Sequence, residues 1–213
     1  MPSNRVQKIK SKRSGLLLRV SKGHFATSHS HINYYIDVTM QKSRLSEAQA
    51  LARELVSYYT TNTLVDTILC LDGTEVIATC LAQELTAGNF MNMNAHKTIY
   101  VVTPEHTTGS QLLFRENLTP TIAGKHVLVL AASVTTGYTA RAAVEAINYY
   151  GGHVAGICAI FATIDNCAGF PVRAAFDTAD LDEYASHPSH ECPLCRRGVK
   201  LDALVNGFGY SKL

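Results

Sequence analysis

The stretch Val127-Leu-Val-Leu-Ala-Ala-Ser-Val-Thr-Thr-Gly-Tyr-Thr139 decides the fold. Its apolar run, 127–132, has strand length and no polar interruption, the pattern of a strand covered on both faces. Directly after the turn, apolar residues at Ala140, Ala143, Val144, Ile147 and Tyr150 recur at helical spacing until Gly151-Gly152. A strand that passes into a helix through hydroxyl residues and a glycine suits an anion. The first N–H groups of the helix have no intrahelical acceptor, the helix dipole favours negative charge, and Gly137 lets the backbone close around a ligand. Thr135, Thr136 and Thr139 add hydroxyl donors. Ser133, Val134, Thr135, Thr136, Gly137, Tyr138 and Thr139 are therefore the candidate phosphate-binding loop. The same residue types also serve as ordinary helix caps, and the residues alone leave both readings open.

Working outward, residues 67–71, 98–102 and 154–161 are further apolar runs of strand length. Between the first two, residues 75–87 form a helix closed by Gly88. Upstream, Ala48, Leu51, Ala52, Leu55, Val56 and Tyr59 mark another helix, with Ser46 and Gln49 placed for a capping box. Strand and helix alternate, which favours a parallel sheet with helices on both faces and ligand sites at the C-terminal strand ends. Residues 16–20 and 34–38 are shorter β-rich runs around the polar segment 24–33, the pattern of a small N-terminal lobe. Residues 103–124, rich in Thr and Gly, are too long for a routine connection and read as a loop over the site.

At 213 residues and 46% hydrophobic content the chain suits one well-buried domain. A charged fraction of 17% and a net charge of +2 argue against disorder and against a nucleic-acid-binding surface. Arg5, Lys8, Lys10, Lys12, Arg13, Arg19 and Lys22 crowd the start. They read as a solvated, partly frayed helix, with a nucleic-acid contact as the alternative. Leu16-Leu17-Leu18 is too short for a signal-peptide core or a membrane span, so a cytoplasmic protein with no membrane partner is expected. Without an export signal, the six cysteines are expected as thiols or metal ligands. Cys70, Cys80 and Cys158 sit in apolar runs and read as core. His187, His190, Cys192 and Cys195 form a His-x-x-His-x-Cys-x-x-Cys set that matches zinc chemistry, with Cys158 or Cys167 as substitute ligands and a pair of free thiols as the alternative.

The strand and its Thr-Thr-Gly turn resemble the type I phosphoribosyltransferases, in which two acidic and two small apolar residues precede Thr-Thr-Gly or Thr-Ala-Gly. Here Ala131 and Ala132 stand where the acids belong. Gly23-His24-Phe25, followed by Thr27-Ser28-His29-Ser30-His31-Ile32-Asn33-Tyr34-Tyr35, is similar to the opening of the orotate phosphoribosyltransferases. Val76-Ile77-Ala78-Thr79 resembles the helix after their diphosphate loop, and Cys192-Pro-Leu-Cys-Arg-Arg-Gly-Val resembles the tail of some of them. The resemblance implies an α/β fold with a parallel sheet flanked by helices and a small N-terminal hood. It divides the chain into an arm and hood strands over 1–42, a core over 43–185 and a tail packing on the hood over 186–213. It also implies a homodimer and a small-molecule partner, a phosphorylated ribose or nucleotide. Asp72, Gly73, Thr74 and Glu75 would form the diphosphate loop, with magnesium if phosphoribosyl diphosphate binds, and Ser30 and His31 would lie on the base side.

The departures fall on polar ligands. Ala131 and Ala132 accept nothing from a ribose hydroxyl. Residues 103–113 contain neither Lys nor Arg, and Arg115 is the nearest cation. Gly73-Thr74-Glu75 replaces a glycine pair, and Ser30 replaces the Lys or Arg facing the base, with His29 or His31 as substitutes. The expectation is a protein that keeps a 5′-phosphate site while transferase activity is lost or reduced, and no catalytic residue is assigned. The alternatives are an active orotate phosphoribosyltransferase of pyrimidine nucleotide synthesis and a nucleic-acid-binding regulator on the same fold.

Overall fold

A computed structural model describes residues 6–87, 92–95, 97–107 and 111–213. In chain order the elements are β1 (Val6–Lys10), β2 (Leu17–Ala26), β3 (His31–Asp37), α1 (Thr39–Ser43), α2 (Leu45–Val56), β4 (Thr67–Cys70), α3 (Glu75–Thr86), β5 (Tyr100–Val102), β6 (Glu105–His106) and β7 (Leu112–Leu113). They continue with β8 (His126–Val134), α4 (Tyr138–Tyr149), β9 (His153–Ala162), β10 (Asn166–Cys167), β11 (Phe170–Asp177), β12 (Ser186–His187), α5 (Pro193–Arg196), β13 (Ala203–Asn206) and β14 (Gly209–Lys212).

The core sheet runs β10-β11-β9-β8-β4-β5. All its pairings are parallel except that of β10 with β11. Strand β8 is central, and its alternation explains the unbroken apolar run. Leu128, Leu130 and Ala132 face α2 and α3, whose Leu51, Leu55, Ile77 and Leu81 share that half of the core. Val127, Val129 and Ala131 face α4 through Ala143, Val144 and Ile147. Helices on both faces leave the C-terminal edge of the sheet as the open end, where a doubly covered parallel sheet presents its ligands. Among the described helices, none is long and apolar enough to cross a membrane.

A second sheet, β12-β3-β2-β13-β14 with β1 beside β2, stands over that edge. It joins distant parts of the chain, since β13 pairs parallel with β2 and β12 antiparallel with β3. The basic N-terminal segment is therefore a strand rather than a helix: Val6–Lys10 pairs antiparallel with β2, with Lys8 and Lys10 exposed. Its polar residues point outward on an edge strand, where charge blocks further pairing. Strands also continue into the polar segment 24–33, because Phe25 and Ile32 are buried and only residues 27–30 turn.

Other boundaries moved for local reasons. Helix α2 starts at Leu45 with Arg44 as its N-cap, so Ser46 lies inside the first turn and the capping box does not form. The segment 103–124 contains the β6–β7 hairpin, tied by Arg115 to Glu105 at 2.7 Å, and is anchored by buried Phe114 and Ile122. Gly88, the expected stop of α3, lies outside the described residues, and Ala87 is the helix C-cap.

Candidate functional site

The turn between β8 and α4 is fixed from behind. Val134 is buried, the Thr163 N–H donates to its carbonyl at 3.0 Å, and the Thr163 hydroxyl donates to the Thr135 carbonyl at 2.9 Å. Gly137 is the N-cap of α4, with φ of +74°. A Cβ there would stand 2.9 Å from the Cys167 sulfur and 3.1 Å from Ile164 Cδ1, so both conformation and space demand glycine. Because the N-cap carries no side chain, no side-chain cap bond is made, and the threonine hydroxyls do not take that role. Ser133, Thr136, Tyr138 and Thr139 are exposed, and Thr135 is half-buried.

This turn forms one wall of a cleft of about 270 Å³, and Ser133, Val134, Thr135, Thr136, Gly137, Tyr138 and Thr139 all line it. The second sheet supplies the facing wall through Thr27, Ser28, His29, Ile32 and Tyr35. The His29 ring meets the Tyr138 ring at 4.8 Å between centroids, bridging the walls. Burial, with Asp37 and Tyr210 behind it, pushes the Tyr35 phenol up to about 12, so it stays neutral.

At the other end, Asp72 and Gly73 form a left-handed turn after β4, with φ of +58° and +76°. Thr74 is fully buried, and its hydroxyl donates to the carbonyls of Leu71 at 2.9 Å and Leu130 at 3.1 Å. Asp72 accepts the Ala132 N–H; burial raises its carboxyl above the usual range, against that bond and the charges of Lys42 and His106. Glu75 accepts from the Thr103 hydroxyl at 3.0 Å.

The turn of the β13–β14 hairpin lies on this loop. Lys42 Nζ donates to the carbonyls of Asp72 at 2.7 Å and Gly207 at 2.6 Å, and sits 5.4 Å from the centre of the Phe208 ring. Contact is tight enough that a Cβ on Gly207 would fall 2.7 Å from Asp72 Cγ. Burial lowers the Lys42 amine, opposed by Asp72, Glu75 and Asp37. Lys42 and the 206–208 turn were not singled out from the sequence. Only the turn had a local signal, Asn-Gly between apolar residues.

Ser30 and His31 do not line the cleft; their neighbour His29 does. Ser30 is buried, sharing a 3.0 Å hydroxyl contact with Thr27 inside the turn. His31 instead joins His24, Cys192 and Cys195 in a cluster whose ligand atoms lie within 4.8 Å of one another. The cysteines therefore meet histidines from β2 and β3 rather than the proposed His187 and His190. His187 is held in β12 opposite His31 and His190 lies 3.4 Å from Glu191, since ligands so close in sequence cannot fold back around one point. Neither Cys158 nor Cys167 belongs to the cluster: Cys158 is buried in the core and Cys167 packs on Gly137.

No protein-family model matches the sequence. The orotate phosphoribosyltransferase of Chlorobaculum parvum is 27% identical over 196 residues, covering 90% of each chain. The crystal structure of Mycobacterium tuberculosis orotate phosphoribosyltransferase with Fe(III) dicitrate superposes with a TM-score of 0.54 at 21% identity, over 77% of this chain and 92% of that one. The adenine phosphoribosyltransferase of Trypanosoma brucei, in complex with AMP, pyrophosphate and ribose-5-phosphate, gives 0.53 at 13% identity over 78% of each chain.

Proposed function

We propose that this chain, an orotate phosphoribosyltransferase-like member of the type I phosphoribosyltransferase fold, binds a 5′-phosphoribosyl ligand while its transferase activity is lost or much reduced. The observation that carries this reading is the contrast between the two ends of one cleft. At one end the Gly137 turn presents the first-turn N–H groups of α4 and exposed hydroxyls, suited to a single phosphate. The Trypanosoma relative, bound to AMP and ribose-5-phosphate, supplies the ligand class.

At the other end the groups for a diphosphate are missing or engaged. Ala131 and Ala132 occupy the acid positions and are buried. Losing two charge-assisted bonds to ribose hydroxyls, at about 1.5 to 3 kcal/mol each, weakens donor binding by about two to four orders of magnitude. Asp72 is bonded to Ala132 N–H and covered by Gly207, and Lys42 is committed to two carbonyls. These residues do not fit a magnesium-bound diphosphate, and we derive no step through one.

The second reading, an active orotate phosphoribosyltransferase working as a homodimer, is favoured by the name of the Chlorobaculum relative. Calorimetric titration with ribose 5-phosphate, orotidine monophosphate and phosphoribosyl diphosphate, with and without magnesium, separates the two. Binding of the monophosphates without a magnesium requirement is the expected result. Tight magnesium-dependent binding of the diphosphate, with turnover on orotate, would overturn the proposal in favour of the enzyme.

A further inference from the structure

We infer that His24, His31, Cys192 and Cys195 form a structural zinc site that clips the tail to the sheet above the cleft. The four residues come from three separate segments: His24 from β2, His31 from the start of β3, and the cysteines from either side of α5. His24 Nε2 lies 3.2 Å from His31 Nδ1, 3.4 Å from the Cys192 sulfur and 3.6 Å from the Cys195 sulfur; the Cys195 sulfur is 3.2 Å from His31 Nδ1. A tetrahedral ion with ordinary zinc–ligand lengths requires edges of about 3.4 Å between nitrogens and about 3.6 Å from nitrogen to sulfur. The observed spacings match those edges.

Hydrogen bonding alone does not account for the cluster. His24 Nδ1 lies 2.9 Å from the Val199 carbonyl oxygen, which has no proton to give, so the ring hydrogen is on Nδ1 and Nε2 presents a bare lone pair. Three groups converge on that one lone pair, which accepts from only one donor. A cation bound by all four atoms, with both thiols deprotonated and two protons released, satisfies every member at zero net charge. The Nδ1–H bond to a backbone carbonyl is also the outer contact that fixes a metal-binding histidine.

The chain around the site is built to hold this geometry. The Arg196 N–H donates to the Cys192 carbonyl at 3.1 Å and the Gly198 N–H to the Cys195 carbonyl at 2.9 Å, wrapping α5 around one point, with Gly198 at φ of +71°. Asp202 grips His24 from the far side, accepting its N–H at 2.9 Å and donating its own N–H to the His24 carbonyl at 2.7 Å. Two thiolates and two imidazoles in a tetrahedron select zinc among the common divalent ions, and four protein ligands leave no open position for catalysis. His24 and His31 bracket the 27–30 turn that lines the cleft, and the cysteines precede the 206–208 turn that closes it. One ion would therefore set both walls.

The test uses the purified full chain. Metal analysis after dialysis against zinc-free buffer is expected to find one zinc per chain. Replacing zinc by cobalt(II) is expected to give the intense visible bands of a four-coordinate site with thiolate charge transfer. Cys195→Ser and His31→Ala should each abolish stoichiometric zinc, whereas His187→Ala with His190→Ala should leave one zinc per chain. Because the ligand variants can fail for lack of folding, the cobalt spectrum of the unmodified chain reads the donor set directly. Absence of zinc from chain supplied with it, a weak octahedral cobalt spectrum, or loss of metal on removing His187 and His190 would each overturn the site.

Discussion

Gly137→Ala probes the candidate phosphate loop where structure sets the magnitude most directly. The backbone has φ of +74°, a left-handed conformation that costs an alanine about 1 to 2 kcal/mol. The added methyl would stand 2.9 Å from the Cys167 sulfur and 3.1 Å from Ile164 Cδ1, both in the packed interior behind the turn. Overpacking of that kind costs about 1 to 3 kcal/mol, so the substitution should destabilise by about 2 to 5 kcal/mol. Against a total of about 5 to 15 kcal/mol for an ordinary domain, this is readily measured as a shift of the urea midpoint at constant slope.

The two contributions separate in a double-mutant cycle. Cys167→Ala removes the nearest clashing atom but leaves φ unchanged. The pair should therefore show favourable coupling of about 1 to 2 kcal/mol, with the conformational part persisting. Affinity for ribose 5-phosphate should fall in Gly137→Ala, because the turn must shift to admit the methyl. A destabilisation below about 0.5 kcal/mol, in the range of an ordinary surface change, would refute the reasoning; so would absent coupling to Cys167.

Thr74→Val removes the buried hydroxyl held by the Leu71 and Leu130 carbonyls and should cost about 1 to 2 kcal/mol in chemical denaturation. For Asp66, burial opposes ionisation, but the His126 N–H at 2.9 Å, its ring nitrogen at 2.8 Å and its charge outweigh that and hold the carboxyl below its usual value. A depressed folded pKa contributes stability that is present above the unfolded carboxylate value and is lost as pH falls through the folded one. The stability gap between native chain and Asp66→Asn, followed by thermal unfolding, should accordingly close on acidification. Lys42→Met removes both carbonyl contacts and should speed hydrogen exchange at the Gly207 to Gly209 amides by about tenfold or more. Ala131→Asp with Ala132→Asp should tighten phosphoribosyl diphosphate binding at least about tenfold by calorimetry; unchanged affinity would count against placing these alanines at the sugar.

The parallel sheet was legible because β4, β8 and β9 are continuous apolar runs of strand length joined through helices of regular period. A fully covered strand can have no other pattern. The N-terminal arm was misread because Val6–Lys10 has too few residues to separate an edge strand from a frayed helix, and only pairing with β2 decides between them. Strand β11 escaped notice because Pro171 and Arg173 interrupt its apolar sequence at the exposed side of an edge position. The phosphate-loop residues could be named in advance because they are contiguous. The metal cluster could be only half named: Cys192 and Cys195 share a spacing motif, whereas His24 and His31 lie some 160 to 170 positions away, at |i−j| of 164 to 171, and are joined to them by sheet pairing that no local pattern encodes.

Charge along the cleft narrows the ligand further. The Gly137 turn offers a helix dipole, N–H groups and hydroxyls but no cation, which suits one phosphate that keeps part of its hydration. The opposite end carries Asp72 and Glu75, and its nearest ammonium, Lys42, already donates to two carbonyls. A second phosphate there would meet two carboxylates with no uncommitted donor, whereas a neutral sugar or base would meet Tyr35, Phe161 and Phe208. Opposed demands of this kind select a molecule that is anionic at one end and uncharged at the other. A nucleoside monophosphate or ribose 5-phosphate has that polarity and phosphoribosyl diphosphate does not, so the alanines on β8 and the tail turn on the Asp72 loop exclude the same ligand by independent means.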